Sequence, residues 1–99
     1  MEFGSNDGIF LSNFTNDKYT VVGVDPSKNI SKIAQQKGIN TFVSYFNPQT
    51  AHSIYTKYGL FDVVTGSNVF AHVQDIFCLL NSAKIILKPE GTFIIEVHY

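Results

Sequence analysis

Four short apolar runs, at residues 21–24, 41–43, 61–64 and 93–97, are rich in β-branched and aromatic residues and show little apolar–polar alternation. Strands patterned this way are buried on both faces, which a parallel sheet covered by helices provides. The segments between them carry helix punctuation. Behind Gly8, residues Ile9, Phe10, Leu11 and Phe14 make a short apolar face that predicts a brief helix. Ser27 is placed to cap a helix bearing Ile30, Ile33 and Ala34, and Gly38 stands where a left-handed residue would stop it. Asn47 and Pro48 supply a cap and a first-turn proline to a helix with Ala51, Ile54, Tyr55 and Tyr58, closed by Gly59. The last helix spaces Ile76, Leu80, Ala83 and Leu87, and Pro89 with Gly91 ends it before the final strand.

Such alternation demands right-handed crossovers and therefore an α/β, doubly wound, parallel sheet. With 99 residues the chain supports one modest core, so residues 1–99 are expected to form a single, partial domain. Only Met1, Glu2 and Phe3 precede the first glycine turn, and the last apolar run sits against Tyr99, which reads as truncation at both ends. An uncovered edge at residues 93–97 would template a homo-oligomer. Seven Lys+Arg against eight Asp+Glu leave a formal charge of −1, which gives no bulk field for nucleic acid or an anionic membrane. The lone Cys78 cannot form an internal disulfide and reads as a small buried hydrophobe; no apolar span of membrane-crossing length is present. A reduced, cytoplasmic setting is the resulting expectation.

The segment Glu2-Phe3-Gly4-Ser5-Asn6-Asp7-Gly8 falls at the first strand-to-helix turn, where open α/β sheets place their ligands. Gly4 permits a tight turn and Gly8 a close helix approach, while Asn6 stands where nucleotide loops carry a middle glycine and is among the few other residues that visit left-handed geometry. An ordinary glycine turn would read the same way. Asp25 follows Gly4 by 21 positions, near the offset of about 20 at which an acid reaches ribose hydroxyls. It would equally serve as an acid at a helix N-terminus before Pro26 and Ser27.

Together with Gly23-Val24-Asp25-Pro26-Ser27, Asn68-Val69-Phe70-Ala71-His72-Val73, Leu87-Lys88-Pro89-Glu90-Gly91 and Glu96-Val97-His98-Tyr99, this segment resembles class I S-adenosylmethionine-dependent methyltransferases. The Gly-Ser-Asn-Asp-Gly turn and the Asn-x-x-Ala-His segment resemble more narrowly the C-methyltransferases of nucleotide-linked keto-deoxysugars. The resemblance implies a Rossmann-like three-layer α/β sandwich with strand order 3-2-1-4-5 and S-adenosylmethionine as cofactor. It implies that Glu2 meets the methionine end, that Gly4, Ser5, Asn6 and Gly8 line the cleft, and that Asp25 holds the ribose with Pro26 and Ser27 beside it. Asn68 would meet the methionine portion or the sulfonium side. Phe46 or Tyr45 would flank adenine, although such aromatics more often belong to a core.

Carbon methylation needs a proton removed beside the sugar ketone, and the resemblance gives that task to His72, with Glu96 and His98 orienting or protonating the sugar oxygen and Tyr99 more distant. Histidine suits a base because its ordinary pKa of about 6.5 lies near working pH. His52 reads as a solvated helix residue, and three histidines without a cysteine pair or clustered acids make no metal site. Family members carry more chain, so little turnover is expected from these residues alone. Two rival readings stay open: a nicotinamide or flavin dinucleotide-binding domain, to which Gly4, Gly8 and Asp25 are also suited, and a non-catalytic folded remnant.

Overall fold

Strands form where the apolar runs lie. In the computed structural model, which describes residues 1–70 and 73–98, the chain divides into two compact units, Met1–Tyr45 and Phe46–Tyr99. The first unit contains β1 (Glu2–Phe3), β2 (Val22–Asp25), α1 (Lys28–Gln36) and β3 (Asn40–Val43). Its strands are parallel: Glu2 lies opposite Gly23, Phe3 opposite Val24, and Val22 opposite Asn40. The apolar pattern is satisfied in β2, where Val22 and Val24 are buried, but only partly in β3. There Asn40 and Val43 are exposed and Thr41 and Phe42 half-buried, because β3 ends the strand order and has one strand neighbour rather than two.

The Ser27 hydroxyl caps α1 by accepting from the Ile30 N–H at 3.4 Å. The inner face of α1 is Ser31 and Ala34, while the expected core residue Ile33 is exposed. Ser31 can be buried because its hydroxyl donates to the Asp25 carbonyl at 3.1 Å, which ties the helix to the end of β2.

The brief helix expected after Gly8 is a single 3-10 turn, Leu11–Phe14, and its apolar face is not buried. Only Leu11 enters the core with Ala34 and Ile39, whereas Ile9, Phe10 and Phe14 are exposed. The reason is local competition for backbone carbonyls. Ser12 Oγ donates to the Ile9 carbonyl, and Asn13 Nδ2 to that of Phe10, bonds that favour a tight turn over a longer helix. Phe10 and Phe14 instead meet edge-on, ring centroids 5.3 Å apart.

The second unit contains α2 (Pro48–Tyr58), β4 (Phe61–Phe70), α3 (Val73–Ile86) and β5 (Leu87–His98). Asn47 caps α2 through its side-chain oxygen, which accepts from the Thr50 N–H at 2.8 Å, an interaction typically worth about 1 kcal/mol. Helices α2 and α3 pack together, and Ala51, Ile54, Phe61, Val64, Ala83 and Ile86 are buried. Tyr55 and Leu80 are exposed and Cys78 half-buried, so the apolar spacing overstates the buried face.

Leu87, expected on the last helix, begins β5 instead. Between the pairs Phe61/Leu87 and Val63/Thr92 the register slips, because β5 accommodates the intervening Lys88-Pro89-Glu90-Gly91 as an irregularity. Proline has no N–H to give a ladder, so the segment tolerates the interruption. β4 and β5 also run longer than residues 61–64 and 93–97, and they are parallel. The strand order reads β3-β2-β1 in the first unit and β4-β5 in the second, which within each unit is the expected order. The chain is therefore an α/β, Rossmann-like protein. Among the described residues no helix is long and apolar enough to cross a membrane.

Candidate functional site

The turn after β1 carries three left-handed residues, Gly4 at φ 64°, Asn6 at φ 59° and Gly8 at φ 80°. Asn6 therefore does what its sequence position suggested. Between Gly4 and Asn6, Ser5 anchors the loop twice by its backbone: its N–H donates to the Val24 carbonyl at 3.1 Å, and its carbonyl accepts from the Gly8 N–H at 3.0 Å.

Asp25 ends β2 beside this loop and joins it to the start of α1. One carboxylate oxygen accepts from the Asn6 N–H at 2.9 Å, and the other accepts from the Ser27 N–H, also at 2.9 Å. Each carboxylate oxygen has room for a further donor, so the group can hold the loop and still accept from a vicinal diol. Both readings of Asp25, helix-end acid and ribose acceptor, are compatible with these bonds. Pro26 is exposed and Ser27 half-buried at the same corner.

Glu2 is a different kind of acid. It is buried, and its Oε1 has no hydrogen-bond partner. Burial pushes its carboxyl up to about 7 from 4.5; the Met1 ammonium acts the other way, and Asp25 adds to the rise. The folded state thus retains a proton that the unfolded chain releases near pH 4.5, so stability falls as pH climbs from there to about 7 and is level above. Glu2→Gln removes that loss and should stabilise the chain at pH 8 by about 3 kcal/mol, read as a higher urea midpoint in the variant that converges on the parent value near pH 4.

Ser5 Oγ is likewise buried without a partner. Its side chain sits over Gly23, where an added Cβ would lie 2.5 Å from Ser5 Oγ, 3.0 Å from Ser5 Cβ and 3.2 Å from Leu11 Cδ1. No role for Gly23 follows from the spacing of the motif, although a glycine inside a strand signals a close approach. Gly23→Ala should lift the loop and cost about 2 kcal/mol by overpacking, with part of the loss recovered by adding Ser5→Gly. Equal destabilisation in the single and double variants would show that Ser5 is not the obstacle.

Tyr45 is exposed at the end of the first unit, and Phe46 is buried in the second, as its core reading anticipated. Asn68 lies within β4 rather than after it, His98 ends β5, and Glu96 is exposed on β5. His72 and Tyr99 lie outside the described residues. His52 is exposed on α2, and no group of His, Cys, Asp and Glu that could hold a metal occurs among the described residues.

A family of methyltransferase domains matches residues 1–99. The chain belongs to this family. It is 39% identical over 99 residues to the C-methyltransferase NovU of Streptomyces niveus, covering all of this chain and 24% of that protein. It is 23% identical over 96 residues to a ubiquinone biosynthesis O-methyltransferase of Bartonella bacilliformis, covering 96% of this chain and 39% of that one. A ubiquinone biosynthesis O-methyltransferase of Vibrio parahaemolyticus is 25% identical over 93 residues, with 92% of this chain and 40% of the relative covered. The chain spans between about a quarter and two-fifths of the length of these relatives.

Proposed function

We propose that the chain is the S-adenosylmethionine-binding part of a methyltransferase that transfers a methyl group to carbon of a nucleotide-linked keto-deoxysugar. The observation that supports this most is the polar corner at the ends of β1 and β2: a diol-competent Asp25 fastened to the loop, beside a buried Glu2 with an unpartnered oxygen. A cofactor that carries a diol and an ammonium offers what these groups lack. Carbon as the acceptor rests on the greater identity to the C-methyltransferase than to the O-methyltransferases.

When bound, the cofactor supplies a methyl group on a positive sulfur, activated for in-line displacement. Asp25 would hold the ribose and Glu2 the ammonium, and holding the cofactor at both ends would favour transfer by proximity and alignment. His72 takes the proton beside the ketone, while Glu96 and His98 orient the sugar oxygen. Hydrogen exchange tests the cofactor part of this reading. Adding S-adenosylhomocysteine should protect the amides of Gly4, Ser5, Asn6, Asp25 and Ser27, and adding NAD should not. Protection by NAD alone would favour the dinucleotide reading, and protection by neither a non-catalytic remnant.

A further inference from the structure

The parallel pairing of Glu2 with Gly23 places both positions on one face of the sheet, and the same face returns two residues later at Asp25. Gly23 leaves that face bare, and Ser5 Oγ occupies the space beside it. Two polar atoms, Glu2 Oε1 and Ser5 Oγ, are therefore buried without partners around one glycine, with a carboxylate next along the strand. A buried group left unbonded costs about 1–3 kcal/mol, and an ionised one costs more. A cation donor that entered this corner would remove the cost.

We propose that Glu2 is protonated in the free chain and surrenders that proton when the cofactor's ammonium group binds, so that cofactor binding is coupled to proton release. This deepens the reading of the site given above and rests on it. The exchange balances: the carboxyl O–H bond breaks, the proton leaves to solvent, and the carboxylate pairs with the ammonium, which keeps its own protons. Burial is the main reason that the free carboxyl holds a proton, with a value of about 7. Within the first unit the Met1 ammonium opposes this and Asp25 on β2 reinforces it. Asp7 is engaged elsewhere, with Lys37 at 3.8 Å and the Ile9 N–H at 3.2 Å.

The test is a calorimetric titration of the full chain with S-adenosylhomocysteine from pH 5.5 to 8, in buffers of differing ionisation heat. Affinity should fall about tenfold for each pH unit below 7, and about half a proton should be released per ligand at pH 7. In Glu2→Gln both effects should vanish and the affinity should be weaker at pH 8. Saturable binding with a dissociation constant unchanged across this range and no proton released would overturn the coupling while leaving the cofactor reading intact. Absence of binding at every pH would overturn both. Carboxyl-carbon NMR of the free chain gives a separate readout: Glu2 should titrate near 7, and a midpoint near 4.5 would defeat the proposal without any ligand.

Discussion

Gly8→Ala is expected to destabilise the first unit by about 3 kcal/mol, the sum of a strained left-handed backbone and an overpacked core. Gly8 has φ 80°, and an added Cβ would overlap Ile39 Cδ1 and lie 3.3 Å from Ala34 Cβ. Neither neighbour can retreat cheaply, since Ala34 and Ile39 are buried together with Leu11. Gly38 provides the control. Its φ of 85° imposes a similar backbone cost, but nothing lies within 4 Å of an added Cβ. Gly38→Ala should therefore cost about 1 kcal/mol, and urea unfolding of the two variants separates strain from collision. Equal losses would show that the close approach of Gly8 to Ile39 carries no energy.

The second large effect falls on binding. Asp25→Ala should weaken cofactor affinity by at least about 100-fold, which corresponds to roughly 3 kcal/mol. Two charge-assisted bonds from Asn6 and Ser27 are lost together with the acceptor for the ribose, and such bonds are worth about 1.5–3 kcal/mol each. Asp25→Asn should retain more, because its amide oxygen can still accept one N–H, but its NH2 would face the other donor. Titrating both variants with S-adenosylhomocysteine measures this. If Asp25→Ala bound as tightly as the parent, Asp25 would be only a helix-end acid.

Much of the architecture was legible because it depends on patterns that burial enforces. The run around Val22 marked a buried strand, and Ser27, Gly38, Asn47 and Pro48 marked their helices through capping chemistry that acts over a few residues. The left-handed turn at Asn6 was likewise readable from its type and place. Where side-chain hydrogen bonds to the backbone decide, apolar spacing says less. Apolar spacing alone could not show that Ser12 and Asn13 would hold residues 11–14 in a tight turn, leaving Phe10 and Phe14 exposed. Nor could it reveal that Ser31 would replace Ile33 on the inner face of α1, because that exchange depends on the hydrogen bond from Ser31 to the Asp25 carbonyl at the end of β2. In the candidate site, the identities of Glu2, Gly4, Asn6 and Asp25 were visible. The role of Gly23 was not, since its meaning lies in Ser5, 18 positions away in sequence.

The most direct test of the central claim is a calorimetric titration of this chain at pH 8 with S-adenosylhomocysteine and, in parallel, with NAD. The corner formed by Glu2, Asn6 and Asp25 predicts saturable one-to-one binding of S-adenosylhomocysteine and none of NAD. Binding of NAD alone, or of neither, would contradict it.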